Sequence, residues 1–192
     1  MNLELLALIL KFHAGQVRKG NREDGTPDPQ IEHIFRIIHR LLSPLPHYPE
    51  ALQVVRMNTL PIMVDVAMGH DLLEDAEDKR AAEKELKEAV HEYAFDAIKA
   101  LTRPANAKTT YMDYIKDQIL PNPVASLVKL ADIEDNIDTA KESLRVRYEK
   151  AKQEIMDHWN KKVVHPPADT SGANEFIAQQ KEAKRIITDP NG

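Results

Sequence analysis

Two apolar segments of this chain each end in a cluster of acidic side chains, and this arrangement constrains the fold strongly. The first segment reads MVDVAMGHDLLED over residues 63–75, and the second reads VASLVKLADIEDNIDTA over residues 124–140. Segments this apolar belong in a protein core, where a buried charge is costly unless it is paired or binds a cation. We therefore expect both segments to be buried helices whose polar ends mark a functional site.

The remaining sequence has the pattern of a helical protein. Apolar residues recur at helical spacing between breaker clusters, and no alternating pattern is sustained enough to predict a sheet. We predict helices over residues 3–18, 31–42, 58–75, 79–90, 91–101, 110–119, 124–140, 144–163 and 174–187, with an exposed loop over 20–30. The predicted fold class is all-α: a helical bundle forming one domain over residues 1–163, followed over 164–192 by a linker and a C-terminal helix.

Composition narrows the chemistry. The net charge of -5 gives no indication of a nucleic-acid partner, and the chain has no cysteine, so any metal ligands must be histidines and carboxylates. The apolar N-terminal stretch is interrupted by Glu4 and is too short to span a bilayer. We expect a cytoplasmic protein without a membrane partner. The oligomeric state stays open.

The segment over residues 63–75 carries a histidine and three carboxylates within two turns. Positions four apart share a helix face, so His70 pairs with Glu74, and Asp71 pairs with Asp75. His70 and Asp71 can both reach one ion if other helices complete its shell. The alternative is that Glu74 and Asp75 are simply the solvated end of a helix.

Two further donors are predicted from distant parts of the chain. His33 follows the loop at 20–30, and Asp132 lies at the acidic end of the second apolar segment. A set of two histidines and two carboxylates suits manganese, iron or zinc, and the sequence does not choose among them. His33 alone would more often be a core residue than a ligand, and the combination makes the metal hypothesis specific.

Several motifs along residues 10–151 form a pattern. They are FHAGQVRKG at 12–20, IEH at 31–33, HDLLED at 70–75, ALT at 100–102, VKLADIEDNIDT at 128–139 and RYEKA at 147–151. This pattern resembles HD-domain phosphohydrolases, and within them the RelA/SpoT-like hydrolase domain and the small alarmone hydrolases. The motifs that it matches include AHxGQxRKxG, HDxxED and VKLADRLHNLRT.

The resemblance implies an HD-domain helical bundle that binds a manganese ion and a nucleotide. Its metal ligands would be His33, His70, Asp71 and Asp132, and its catalytic residues Glu74 and Asp75, which would orient a water. Its nucleotide contacts would be Arg18, Lys19, Asn136 and Thr139. The implied reaction is removal of the 3′-pyrophosphate from guanosine tetra- or pentaphosphate.

Departures from the family pattern leave other substrates open. The loop before His33 is longer than in the family, and a proline of the family pattern is replaced by Ile34. Two arginines of the pattern are replaced by Ile133 and Asp138, and a histidine is replaced by Asp135. These replacements predict less positive charge beside the pocket. One alternative is an HD nucleotidase acting on an adenine alarmone or a nicotinamide dinucleotide phosphate. Another is a binding module that retains the site without using its chemistry. Arg18 and Lys19 could also simply stabilise a helix C-terminus.

Overall fold

The computed structural model describes residues 2–13, 15–21, 26–45, 47–103 and 108–164, without the side chains of 19–21 and 163–164. Its helices are Leu3–His13 (α1), Gln30–Leu42 (α2), Glu50–Asn58 (α3), Leu60–Gly69 (α4), Leu72–Asp75 (α5), Lys79–Ala89 (α6), Glu92–Leu101 (α7), Tyr111–Tyr114 (α8), Pro123–Thr139 (α9) and Glu142–Val164 (α10). A π-helical turn, Ile115–Ile119, extends α8, and the strands are Val17–Asn21 (β1) and Pro27–Pro29 (β2). The described chain is therefore mainly helical, which agrees with the predicted all-α class.

Helix α9 lies at the centre of the bundle. The side chain of Asn122 caps its first turn by accepting a hydrogen bond from the backbone N–H of Ala125, and Pro123 occupies a first-turn position where its missing N–H is harmless. Its N-terminal half is apolar around its circumference, and α2, α3, α4, α7 and α10 all pack against it. Such burial on every side is expected for a helix without a polar face. Asp132 and Asp135 are therefore held at fixed positions in the core.

The HDLLED segment is not part of one continuous helix, so the prediction of a single helix over residues 58–75 was wrong. Helix α4 ends at Gly69, and His70 and Asp71 form a turn before α5. Helix α3, which precedes α4, was not predicted. A Cβ atom on Gly69 would lie 2.7 Å from Cδ1 of Ile98 in α7. The glycine thus permits close packing of α4 on α7 directly before the turn.

A two-stranded antiparallel hairpin occupies part of the region predicted as helix end and exposed loop. Helix α1 ends at His13, five residues earlier than predicted, and Gly15 adopts the left-handed region with φ of 75°. Val17 then pairs with Pro29. Arg18 and Lys19 consequently lie on β1, and the interpretation of this basic pair as a helix C-terminus was wrong.

The long helix α10 runs back along α9, and its Ala151, Ile155 and Trp159 are buried. It matches the predicted helix over 144–163 closely. The predicted linker and final helix over residues 164–192 lie, from residue 165 onward, outside the described residues, so the domain boundary stays a prediction. Across the described helices, none combines the length and apolar character required to cross a bilayer.

Candidate metal centre

Three predicted ligands from two parts of the chain meet in the core. His33 lies in the first turns of α2, and His70 and Asp71 form the turn between α4 and α5. One ligand atom from each of these residues lies within 4.8 Å of the other two. Both histidines are buried, at 1% and 2% exposure, and their ring centroids are 5.3 Å apart. This spacing allows the three side chains to share one ion.

Asp132 reaches the same point from α9. Its Oδ1 lies 3.3 Å from Nε2 of His33, and that nitrogen is 3.7 Å from Oδ2 of Asp71. The four residues predicted as ligands, which come from distant parts of the sequence, are therefore neighbours. The arrangement depends on α9 and α2 packing side by side, with the His70 turn at their end.

The hydrogen bonds of His70 test whether the site fits a cation. Its Nδ1–H donates to the carbonyl oxygen of Ala67 at 2.8 Å, which leaves the lone pair of a neutral ring on Nε2. That Nε2 is buried and lies 3.0 Å from Oδ2 of Asp71, where it can share a proton with the carboxylate or bind a cation. A buried imidazole nitrogen beside carboxylates is the donor set that manganese, iron or zinc prefers, so the residues fit the predicted metal.

The electrostatics of the cluster point in the same direction. Burial alone would lower the pKa of His70, but the carboxylates of Asp71 and Asp132 raise it to about 9. Burial would raise the pKa of Asp71, but the neighbouring His70 holds it well below its usual range. The cluster thus concentrates negative charge that favours a positive partner, either a proton or a metal ion.

Side chains around the cluster orient the carboxylates. The amide of Gln30 donates to Oδ2 of Asp71 at 2.6 Å, and the amide of Asn136 donates to Oδ1 of Asp132 at 2.6 Å. The ammonium of Lys129 lies 2.8 Å from Oδ2 of Asp132. Asp132 therefore combines contact with His33 on one oxygen with an ion pair on the other.

A cavity of about 760 Å³ opens over the cluster. Its walls include the predicted residues His33, Asp71, Glu74, Asp75, Asp132, Asn136, Thr139 and Arg18. The guanidinium of Arg18 donates to the side-chain oxygen of Asn136 and, at 3.2 Å, to Asp28. Lys19 is on the neighbouring strand position, and its side chain lies outside the described part of the chain.

Glu74 and Asp75 lie on α5 at the edge of this cavity. Both side chains are exposed and line the cavity, which is compatible with the predicted catalytic role and equally with the alternative of a solvated helix end. Partial desolvation raises the pKa of Glu74, the carboxylates of Asp71 and Asp75 add to this effect, and Lys129 opposes it. A carboxylate with a raised pKa is a stronger base than an ordinary one, which suits proton abstraction.

The cavity lining also contains a set of basic and aromatic side chains that was not predicted from the sequence. It contains Arg103, Lys129, Lys141 and Arg147 together with Tyr111, Tyr114 and Tyr148. The guanidinium of Arg147 stands 4.7 Å from the ring centre of Tyr111 and 5.4 Å from that of Tyr148. Lys129 had a usable signal, since it precedes Asp132 by three residues and so shares its helix face. Arg103 and Tyr111 lie on separate elements, and no local spacing relates them to the cluster.

Three of the departures from the family pattern, at residues 133, 135 and 138, lie outside the cavity lining. Ile133 is fully buried, and Asp138 pairs with Arg40 at 3.0 Å on the protein surface. Asp135 contacts Nδ1 of His33, the ring nitrogen that faces away from the cluster. Within the described residues, none of these three lines the cavity. These departures therefore add no acidic side chain to the cavity lining, and the expected loss of positive charge beside the pocket stays a prediction.

Comparison with protein-family models finds no match to this chain, and comparison with curated proteins finds no significant match. The function is therefore argued from the side chains that line the cavity.

Proposed function

We propose that this chain is a metal-dependent HD-type phosphohydrolase that removes the 3′-pyrophosphate of guanosine tetra- or pentaphosphate. The observation that carries the proposal is that His33, His70 and Asp71 form one cluster, with Asp132 3.3 Å from His33, beside a cavity whose lining also includes Arg103, Lys129 and Arg147. The four residues would hold a divalent ion such as manganese. Such an ion activates water for attack and offsets the charge of phosphate oxygens.

The residues around the cluster supply the other requirements of phosphoester hydrolysis. Glu74, with its raised pKa, would take a proton from the attacking water, and Asp75 beside it would orient that water. Arg103 and Arg147 would bind phosphate oxygens, since a guanidinium can donate two parallel hydrogen bonds to one phosphate. These groups stabilise charge that develops as the phosphorus–oxygen bond breaks.

The size and lining of the cavity support a nucleotide substrate. A volume of about 760 Å³ falls within the range of about 300–1,000 Å³ typical of small-molecule sites. Tyr111 and Tyr148 offer aromatic faces, and Arg18 offers a planar cation, on which a base could stack. The guanidinium of Arg18 is already paired with Asp28, so the base preference is less strongly supported than the phosphate chemistry. Because this pairing leaves the base open, the second candidate is an HD nucleotidase acting on an adenine alarmone or a nicotinamide dinucleotide phosphate.

The proposal is tested with purified protein, manganese and a panel of three nucleotides. Guanosine 3′,5′-bis(diphosphate) should yield GDP and pyrophosphate in equal amounts, measured by ion-exchange chromatography. The adenine counterpart and the reduced nicotinamide dinucleotide phosphate distinguish the second candidate. The variant Asp71→Asn serves as the control for contaminating phosphatase. Hydrolysis of another panel member without pyrophosphate release from the guanosine nucleotide would replace the first candidate by the second.

A binding module that does not use its chemistry would behave differently. It would take up manganese and bind nucleotide, yet release no product from any member of the panel. The presence of Glu74 and Asp75 beside the cluster supports an enzyme, because binding alone requires neither residue.

A further inference from the structure

Asp135 contacts a predicted metal ligand on the side of the ring that faces away from the cluster. Its Oδ2 accepts a hydrogen bond from Nδ1–H of His33 at 2.8 Å, and its side chain is 3% exposed. A carboxylate only accepts hydrogen bonds, so the proton of the neutral imidazole lies on Nδ1. The lone pair of His33 then lies on Nε2, the nitrogen that points toward Asp132 and Asp71.

A network of ion pairs fixes the orientation of the Asp135 carboxylate. Arg36 donates from Nε to Oδ1 at 2.9 Å and from Nη2 to Oδ2 at 3.0 Å. The same guanidinium holds both oxygens of Asp28 on β2, at 3.0 and 2.8 Å, and Arg18 approaches Asp135 to 3.5 Å. Three elements, α2, α9 and the hairpin, therefore converge on one carboxylate that touches His33.

We propose that Asp135 is a positioning residue for a divalent cation, because it fixes His33 in the Nδ1–H tautomer and so presents Nε2 to the ion. The inference deepens the proposed function and rests on its metal centre. A carboxylate behind a ligating histidine orients the ring and raises its basicity, and loss of such a partner typically costs about 10- to 100-fold in metal affinity. The sequence suggested a different consequence of Asp135, namely reduced positive charge at the pocket.

A purely structural role for Asp135 makes a different prediction. If Asp135 serves only to hold Arg36 and α2 in place, its removal lowers the stability of the protein without changing the proton position on His33. The positioning role requires that the tautomer and the metal affinity both change. These two readouts separate the alternatives.

The experiment measures the tautomer of His33 in metal-free protein and the affinity for manganese. Imidazole nitrogen shifts of protein with ¹⁵N-labelled histidine are recorded at about pH 8.5, well above the ordinary histidine pKa, and His33→Gln assigns the signal. Calorimetry then gives manganese affinity for the wild type, Asp135→Ala and Asp135→Asn. The matched control is Asp138→Asn, which removes a carboxylate on the same helix that is 65% exposed and pairs with Arg40.

We expect wild-type His33 to be protonated on Nδ1 and Asp135→Ala to populate the Nε2–H form substantially. Manganese affinity should fall by about 10- to 100-fold in Asp135→Ala, fall less in Asp135→Asn, which retains an acceptor oxygen, and stay unchanged in Asp138→Asn. If Asp135→Ala does not fold, the same comparison is made with Asp135→Asn, whose amide nearly preserves the shape of the side chain.

Protonation of wild-type His33 on Nε2 would overturn the inference, as would unchanged tautomer and affinity in a folded Asp135 variant. The proposed function fails separately. Manganese binding that depends on Asp135, without release of product from any nucleotide, refutes the enzyme and leaves the positioning role intact. Conversely, hydrolysis by a protein whose manganese affinity does not depend on Asp135 refutes the positioning role and leaves the proposed enzyme intact.

Discussion

Replacement of Lys129 by methionine tests whether Asp132 is a buried charge that needs a cationic partner. The two side chains are 15% and 7% exposed, and their charged atoms are 2.8 Å apart. Burial would lower the pKa of Lys129, but Asp132 raises it well above its ordinary value. Burial would likewise raise the pKa of Asp132, but Lys129 and His33 hold it well below its usual range. Each charge therefore depends on the other.

The cost of Lys129→Met follows from what Asp132 retains. Removal of one partner of a buried ion pair typically costs about 3–5 kcal/mol. The amide of Asn136 still donates to Oδ1 at 2.6 Å, so we expect the lower end, about 3 kcal/mol. For a protein of this size, that loss lowers the melting temperature by about 6–12 °C.

The pH dependence has a definite sign. A carboxylate with a depressed folded pKa stabilises the protein above its unfolded pKa of about 4, and loses that contribution as the pH falls through the folded value. A lysine with a raised folded pKa stabilises below its unfolded pKa of about 10 and loses its contribution above the folded value. The difference between wild type and Lys129→Met should therefore be constant between about pH 5 and 9 and shrink in stronger acid.

The assay is chemical denaturation in chelator, with Lys99→Met as the matched control. Lys99 lies 2.7 Å from Glu83, but these side chains are 47% and 46% exposed, so its removal should cost less than about 1 kcal/mol. Manganese should stabilise Lys129→Met more than the wild type, because the lost ammonium no longer repels a cation beside Asp132. Equal destabilisation by the two substitutions would refute the claim that Asp132 depends on Lys129.

Three further outcomes are expected. Glu74→Gln should lower kcat by about 10²- to 10⁴-fold, while its manganese affinity, measured by calorimetry, should be nearly unchanged. The wild-type kcat should fall as the pH is lowered, with a midpoint above 4.5, the ordinary pKa of Glu74. The reason is that desolvation raises the pKa of Glu74 and the base acts in its deprotonated form. Arg147→Ala should raise KM for the nucleotide about 10-fold or more, whereas the exposed Arg145→Ala should not; equal KM values would remove Arg147 from the binding site. Glu134→Gln should cost about 1–3 kcal/mol at neutral pH, because Lys152 at 2.8 Å helps to lower the pKa of Glu134. The cost should shrink as the pH falls below 4.5, the ordinary pKa of that carboxyl, and a cost that does not shrink in acid would contradict the ion pair.

Much of the helical framework could be predicted from local sequence alone. Helices α2, α6, α7 and α9 agree with their predicted bounds within one or two residues. Helices α2, α6 and α7 combine helical spacing of apolar residues with a neighbouring breaker, whereas α9 contains a largely apolar segment that begins after Pro121 and Pro123, and all of these signals are local. Helix α3 was missed because it follows proline-rich sequence and buries few residues, Leu52 among them, so its apolar stripe is weak.

The errors in the fold have tertiary causes. Helix α4 ends at Gly69, where the backbone lies close to Ile98 of α7, and the helical periodicity of the sequence carries no information about that contact. The hairpin begins just after α1 ends, where Gly15 adopts a positive φ. Its strands pair Val17 with Pro29, and the loop-like composition of this segment does not indicate that pairing. Periodicity describes a helix in isolation, whereas the contacts with other elements decide where it ends.

In the site, too, the features visible in local sequence could be predicted, whereas those that depend on contacts between distant residues could not. The convergence of the four proposed ligands could be anticipated, because buried polar groups in apolar helices need partners. Their supporting residues were harder to find. Gln30 is 41 positions from Asp71, and Asp135 is 102 positions from His33, so their pairing depends on how α2 packs against the rest of the bundle.

The acidic residues at positions 135 and 138 show that the residue type at a motif position does not by itself determine the charge of the pocket. The acidic replacements at Asp135 and Asp138 predicted a less positive pocket, yet the structure pairs Asp135 with Arg36 and Asp138 with Arg40. The cavity is lined instead by five cations from several elements: Arg18 on β1, Arg103 after α7, Lys129 on α9, Lys141 between α9 and α10, and Arg147 on α10. A carboxylate acts on a bound phosphate through its position and its partners, because a paired buried charge projects little field. Lys129 is itself paired with Asp132, so the electrostatic case for the proposed polyphosphate substrate rests mainly on Arg103 and Arg147, which line the cavity.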